Sequence, residues 1–334
     1  MKAMVVAGGL CGLLLTGCSG SAPAGRAAGA HGAKAGVATQ RPLDPRVDPL
    51  TGTRPRRTRP VVVIKVDNET LARPYQRGLG PAALIYQELM EGGATRLLAV
   101  YDDASPAEVG PIRSVRESDL ELLRQFGRVA VGFSGANSGV KATFRAGVAA
   151  HQVLDGSYDA VPGAYRIGEH RSDANNFFTA PAKLATARPK ATRAQDVGLR
   201  FGKGATGPAT RSARAAFSAG ALVDLRYDAR TARYSVRQDG HLMPGVAPSN
   251  VVVQFVQERS SRYADVLGHG TPYTVTLGRG RAVVLTGGRR VLGSWRRAGR
   301  GPIRYLDAGG RDVLLRPGQT WILLLPAGRP LTYG

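Results

Sequence analysis

Eight residues in the first half of the chain have the types and spacing of a binding or catalytic constellation: Asp67, Asn68, Arg73, Glu88, Glu91, Arg96, Arg113 and Arg116. A pair of carboxylates suits glycoside cleavage, where one protonates the leaving oxygen and the other acts as base or nucleophile. Glu88 and Glu91 lie three apart, so on an extended strand they face opposite sides and are not expected to pair unless a bulge intervenes. Asp67 with either glutamate could form such a pair. The arginines allow two other uses. Guanidinium groups clamp carboxylates or phosphates, and Arg113 and Arg116 flank a predicted helix start whose free N–H groups favour the same ligands. Equally, Arg96, Arg113 and Arg116 can lock the acids around a polar core, because an unpaired buried charge is expensive. No catalytic residue is assigned on this basis, and the eight stand as ligand-binding candidates.

Other chemistries lack their residues. The only cysteines are Cys11 and Cys18, which excludes a disulfide scaffold and a cysteine-rich zinc module. The histidines, His31, His151, His170, His241 and His269, include no i, i+4 pair and no H-E-x-x-H, so no metal site is expected. Glu169, His170 and Asp173 come nearest to a ligand set and read as a solvated loop. The run Gly132-Phe133-Ser134-Gly135-Ala136 lacks the last glycine of a nucleophile elbow. Gly278-Arg279-Gly280 lacks the lysine of a phosphate loop, and no cofactor is expected.

The elements that must hold the constellation can be read from periodicity. A β-branched run over 61–66 predicts a strand buried on both faces, ending at Asp67. Strands over 84–91 and 95–101 are joined by Gly92-Gly93 as a hairpin. Ser114 and Glu117 match a capping box, with Ser114 as the cap of the following helix. A strand over 128–134 and a helix over 137–146 follow. Past 215 only short strands are expected, at 222–227, 250–256, 273–277, 281–285, 303–307 and 321–325, with Gly287-Gly288 and Gly309-Gly310 as turns. Trp295 and Trp321 read as core. The fold class is therefore α+β: an N-terminal mixed α/β-sheet domain over 60–190, a connection over 191–214, and a smaller all-β domain over 215–330, a sandwich or partly closed barrel.

The start of the chain carries targeting chemistry. Met1 and Lys2 precede a short apolar stretch over 4–15 and the sequence Leu15-Thr16-Gly17-Cys18. This is the order of a lipoprotein signal peptide and lipobox over 1–18, with Cys18 diacylated as the first mature residue. Two acyl chains meet the requirement for stable anchoring, placing the chain on the extracytoplasmic face of the cell membrane. No run of eighteen apolar residues exists to span a bilayer. Residues 19–59, rich in Gly, Ala, Pro and Arg, read as a disordered basic linker with a reach of about 35 Å. The formal net charge of +22 is unevenly spread: +7 over 1–60, +1 over 61–190 and +14 over 191–334. Nucleic acid is the usual counter-charge for such a chain, but an exported protein meets little of it. Anionic cell-wall polymer or lipid headgroups are the expected partners of the basic C-terminal part.

Several blocks together resemble the YerB-like lipoprotein family: Val66-Asp67-Asn68, Ala72-Arg73-Pro74, Gly78-Leu79, Ile85-Tyr86-Gln87-Glu88, Glu91-Gly92-Gly93-Ala94-Thr95-Arg96 and Val109-Gly110-Pro111-Ile112-Arg113-Ser114-Val115-Arg116. Gly293-Ser294-Trp295 and Pro317-Gly318-Gln319-Thr320-Trp321 extend the resemblance into the second half, so that it covers nearly all of 60–330. It implies two domains of unknown function behind a lipoprotein signal. One departure is visible: Asn175 stands where the family usually has histidine, although Asn176 keeps the following asparagine. The leading expectation is a membrane-anchored binding or scaffold protein for an anionic envelope component, with the ligand pocket at Asp67, Glu91, Arg96, Arg113 and Arg116. The alternative is a cell-wall glycan hydrolase or transferase using Asp67 and Glu91.

Overall fold

In the computed structural model, residues 42–57, 59–168, 176–204, 206–264 and 268–334 are described. Cys18, the linker as far as residue 41, and the segment holding Glu169, His170, Asp173 and Asn175 lie outside them.

The strands in chain order are β1 (Val62–Asp67), β2 (Leu84–Leu89), β3 (Thr95–Tyr101), β4 (Val109–Ile112), β5 (Val129–Gly132), β6 (Val153–Asp155), β7 (Tyr165–Ile167), β8 (Phe177–Thr179) and β9 (Arg200–Phe201). There follow β10 (Ser212–Ser218), β11 (Ala221–Asp228), β12 (Arg233–Gln238), β13 (His241–Leu242), β14 (Asn250–Ala264), β15 (Gly270–Val275), β16 (Gly278–Thr286) and β17 (Arg289–Arg297). The last are β18 (Arg304–Asp307), β19 (Leu314–Leu315), β20 (Thr320–Pro326) and β21 (Leu331–Tyr333). The α-helices are α1 (Glu117–Leu123), α2 (Ser138–Ala149) and α3 (Pro181–Ala187).

One mixed sheet organises the molecule, with the order β18-β17-β16-β14-β20-β2-β3-β1-β4-β8-β7. β15 pairs with β14, and β5 runs parallel to β1. β20 lies parallel to both neighbours, Leu84 to Glu88 on one side and Asn250 to Val256 on the other. Its run from Trp321 to Leu325 is wholly buried, as a parallel strand covered on both faces requires. The second half of the chain therefore does not close into a barrel of its own. β14, β16, β17, β18 and β20 extend the sheet begun by β1 to β4, while β10 to β13 and β21 make a separate five-stranded sheet. Residues 38–334 form one compact unit. β20 pairs with an edge of β2 on one side and an edge of β14 on the other, so its backbone hydrogen bonds join the two halves into one sheet.

Three layers result. Val62, Ile64 and Val66 of β1 face the five-stranded sheet, meeting a core with Phe217, Leu225 and Tyr234. Val61, Val63, Leu98 and Val100 face the helices, with Leu120 and Leu123 of α1 and Phe144 of α2. Strands dominate the chain; α1 and α2 cover one side of the N-terminal half, and α3 packs on the other, with Leu184 in the core of Val62 and Ile64.

Two local expectations need correction. The hairpin joining β2 to β3 forms with the register Leu89 opposite Thr95, but Glu91 leaves the strand and opens a 3-10 turn. Gly92 and Gly93 make that turn with φ of +65° and +76°, a region open to glycine. The helix after β4 starts at Glu117, not beside Ser114. Its cap is Arg116, whose N–H donates to Asp119 Oδ2 at 2.7 Å, so the box lies two residues further along.

Candidate functional site

β1, β3 and β2 lie side by side, and Asp67, Arg96 and Glu88 stand in one cross-strand row. Residues opposite one another in a sheet share a face. All three point towards α1, as does Lys65, two residues before Asp67.

Lys65, Glu88 and Asp119 form the innermost cluster, each at most 1% exposed. The Lys65 ammonium donates to Glu88 and, at 2.8 Å, to Asp119 Oδ1. Burial drives the Glu88 carboxyl well above the ordinary range, and the neighbouring Asp119 charge pushes the same way against the pull of Lys65. Two acids share one ammonium, and a low-dielectric site tolerates this when one carboxyl keeps its proton.

Asp67, Glu69, Arg96 and Arg113 form a second cluster. Arg96 donates to Asp67 through Nη1 and to Glu69 Oε1 through Nη2 at 2.6 Å. Arg113 Nη2 donates to Glu69 at 3.1 Å. Its Nε lies 2.9 Å from Asp67 Oδ2, an ion-pair contact whose N–H is not aligned for a hydrogen bond. Burial alone would raise the Glu69 carboxyl, but the two guanidinium charges outweigh it and hold the group low.

Glu91 and Arg116 form the third. The Arg116 fork meets Glu91 Oε1 at 2.8 Å and Oε2 at 2.9 Å, and the Thr271 hydroxyl donates to Oε1 at 2.5 Å. Against the upward push of burial, these contacts keep the Glu91 carboxyl below its ordinary value.

Asn68 and Arg73 sit on the opposite side of the sheet. Asn68 donates to Thr95 Oγ1 at 2.7 Å and accepts from Gln76 at 3.0 Å. Arg73 reaches Asp239 at 2.6 Å, just beyond β12. Gln87 and Gln238 exchange amide hydrogen bonds at 3.1 and 3.0 Å, tying β2 to the five-stranded sheet. The eight candidates are thus divided between two faces rather than gathered in one pocket.

This arrangement positions segments. Asp67 and Glu91 each have their oxygens committed to guanidinium groups, and the Glu91 carboxyl is held low where a general acid needs a raised one. Ser134 Oγ donates to the Ile112 carbonyl at 3.0 Å, a strand-end contact. Among the described residues no group of three His, Cys, Asp or Glu side chains could hold a metal ion. Lys65, Glu69 and Asp119 were absent from the candidate set. A lysine inside an otherwise apolar β-branched run was the available signal for Lys65, since such a position must carry a partner.

A seam joins α1 to the hairpin of β14 and β15. Glu117 accepts from the Ser261 hydroxyl at 2.7 Å and from the Arg262 fork at 3.0 and 2.8 Å. Glu121 accepts from Tyr273 Oη, the Thr276 N–H and hydroxyl, and the Leu277 N–H, at 2.7 to 3.1 Å. Every acid on the outer face of α1 is therefore saturated by the second half of the chain.

A mixed sheet shared by two sequence halves, with buried ion clusters in the first half and one of them reaching Thr271 of the second, defines the architecture. Two family descriptions match it in order: "Protein of unknown function (DUF3048) N-terminal domain" over residues 50–195, and the corresponding C-terminal domain over 213–322. The chain belongs to this YerB-like family. It is 27% identical over 299 residues to "Putative lipoprotein YerB" of Bacillus subtilis, covering 83% of this chain and 86% of that one. A crystal structure of the YerB protein from Bacillus subtilis superimposes with a TM-score of 0.71 at 23% identity, covering 86% of this chain and 99% of the other. That likeness bears on the fold alone.

Proposed function

We propose that this chain is a lipid-anchored extracytoplasmic protein that holds an anionic component of the cell envelope on its C-terminal strands. The anchor is Cys18, in keeping with the lipobox order and the lipoprotein name of the Bacillus relative. One observation carries the binding reading. Arg279 and Arg281 of β16 and Arg290 and Arg296 of β17 share one face of a strand pair, with Arg279 directly opposite Arg296. None has a carboxylate partner among the described residues. Like charges opposite one another on strands destabilise a sheet unless a counter-charge covers them. Arg281 stacks on Phe255 at 4.0 Å and Arg290 on Tyr333 at 4.5 Å, which holds the guanidinium groups in place. Leu292, between them, is 58% exposed.

An anionic surface contributes about 1 kcal/mol per arginine near it, so four supply about 4 kcal/mol, or nearly a thousandfold in affinity. The test is sedimentation of the 38–334 unit with purified cell wall and, separately, with anionic vesicles, over a salt series. Salt-sensitive pelleting that disappears when the four arginines become glutamine supports the proposal. Pelleting that ignores both salt and the substitutions refutes it.

A further inference from the structure

The seam between α1 and the hairpin of β14 and β15 encloses a cleft of about 400 Å³. This is within the range of small-molecule sites and far larger than one inorganic anion. Leu120 and Tyr273 give it apolar wall, and Thr143 and Ser260 give hydroxyls.

Its charge balance is decided by which groups are already engaged. Glu117 and Glu121 line the cleft, but their oxygens are taken up by Ser261, Arg262, Tyr273, Thr276 and Leu277. Two lining arginines are differently placed. Arg259 lies over the Tyr273 ring at 4.1 Å and has no carboxylate partner among the described residues. Arg124 donates to the Gln152 amide oxygen at 3.3 Å and likewise has no carboxylate. Behind the wall, Arg297 is 3% exposed and is held by the Thr276 hydroxyl and the Glu121 carbonyl, again without an acid in ion-pair reach. Its Nε has no hydrogen-bond partner. Two guanidinium groups without a carboxylate partner, Arg124 and Arg259, thus line a walled cavity in which Glu117 is paired with Arg262 and the Glu121 oxygens are occupied by hydroxyl and N–H donors.

We infer that this cleft binds a small phosphorylated molecule of about hexose phosphate size. Arg259 and Arg124 take the phosphate, while Thr143, Ser260 and the Tyr273 edge meet the remainder. Guanidinium forks fit phosphate oxygens in pairs. Arg259 is already ordered by its aromatic neighbour, so little rotamer freedom is lost on binding. The site lies on other residues than the β16–β17 arginines and does not depend on the polyanion proposal.

The experiment is calorimetric titration of the purified full-length protein with glucose 6-phosphate, inorganic phosphate and, as uncharged control, glucose. Saturable one-to-one binding of glucose 6-phosphate, weaker phosphate binding and no glucose binding are expected. A hydrogen bond to a charged group contributes about 1.5–3 kcal/mol, so Arg259→Gln or Arg124→Gln should weaken binding about tenfold or more. Ser260→Trp places a bulky ring in the cleft from an exposed position, which spares folding, and should abolish binding. The variant with Arg279, Arg281, Arg290 and Arg296 all changed to glutamine should bind as the parent does. Absence of saturable binding, undiminished binding in Ser260→Trp, or loss confined to the β16–β17 variant would each overturn the assignment.

Discussion

Replacing Glu88 by glutamine distinguishes two states of the buried Lys65–Glu88–Asp119 cluster that differ by a single proton. The amide matches the carboxyl in shape, so its oxygen still accepts from Lys65 and its nitrogen faces the Ser118 hydroxyl, 3.5 Å from Glu88 Oε2 in the parent. If Glu88 is protonated in the folded chain, the substitution costs little near pH 5. Above the unfolded glutamate value the unfolded parent sheds a proton that the folded parent keeps. The folded state then binds more protons, so parental stability falls with rising pH by about 1.4 kcal/mol per unit. This continues until the raised folded value is passed. Glu88→Gln lacks the effect, so its stability relative to the parent rises by about 2.7 kcal/mol between pH 5 and pH 7. Urea unfolding of both proteins at pH 5, 6, 7 and 8 reads the difference directly, and other buried acids cancel in it. An ionised Glu88 gives the opposite result. Glutamine would then break a buried ion pair and cost about 3–5 kcal/mol at every pH. That outcome would refute the protonation argument.

Three further outcomes are expected. Asp102 is buried beside Asp48, and burial with that neighbour raises its carboxyl, so stability is lost as pH rises through the raised value; Asp102→Asn should remove this loss and be the more stable protein at pH 8 in thermal unfolding. Burial lifts the Glu258 carboxyl to about 7 with only the Thr274 hydroxyl opposing, so Glu258→Gln should gain stability relative to the parent as pH rises from 5 to 7, read as a rising urea midpoint difference. Glu91→Ala leaves the half-buried Arg116 fork without its carboxylate and frees Thr271; a loss of about 2–4 kcal/mol and faster amide exchange across β15 are expected.

Legibility differed by range. Local patterns located β1, the hairpin of β2 and β3, β5, α2 and β20, because each is an apolar run bounded by its own turn or cap residues. The strand over 289–297 escaped notice, since its arginines hide the alternation of Val291, Gly293 and Trp295. The misplaced helix start has a local cause: Ser114-x-x-Glu117 and Arg116-x-x-Asp119 overlap, and only burial of Asp119 against Lys65 decides between them. What no window could show is the parallel pairing of Leu84 with Thr320, because period-two alternation names a strand but not its neighbour. The same holds for the charged residues. Their types suggested contacts between acids and arginines, whereas their division between two faces follows from strand parity once the register is known.

The place of β20 has a bearing on biogenesis. A polypeptide that emerges amino end first, from ribosome or translocon, presents β2 long before residues 320–326 exist to cover its hydrogen-bonding edge. Until residues 320–326 are delivered, that rim is an adhesive template for other extended chains. A product ending short of residue 320 leaves β2 and β14 without the strand that joins them, so the two halves of the sheet have no shared partner.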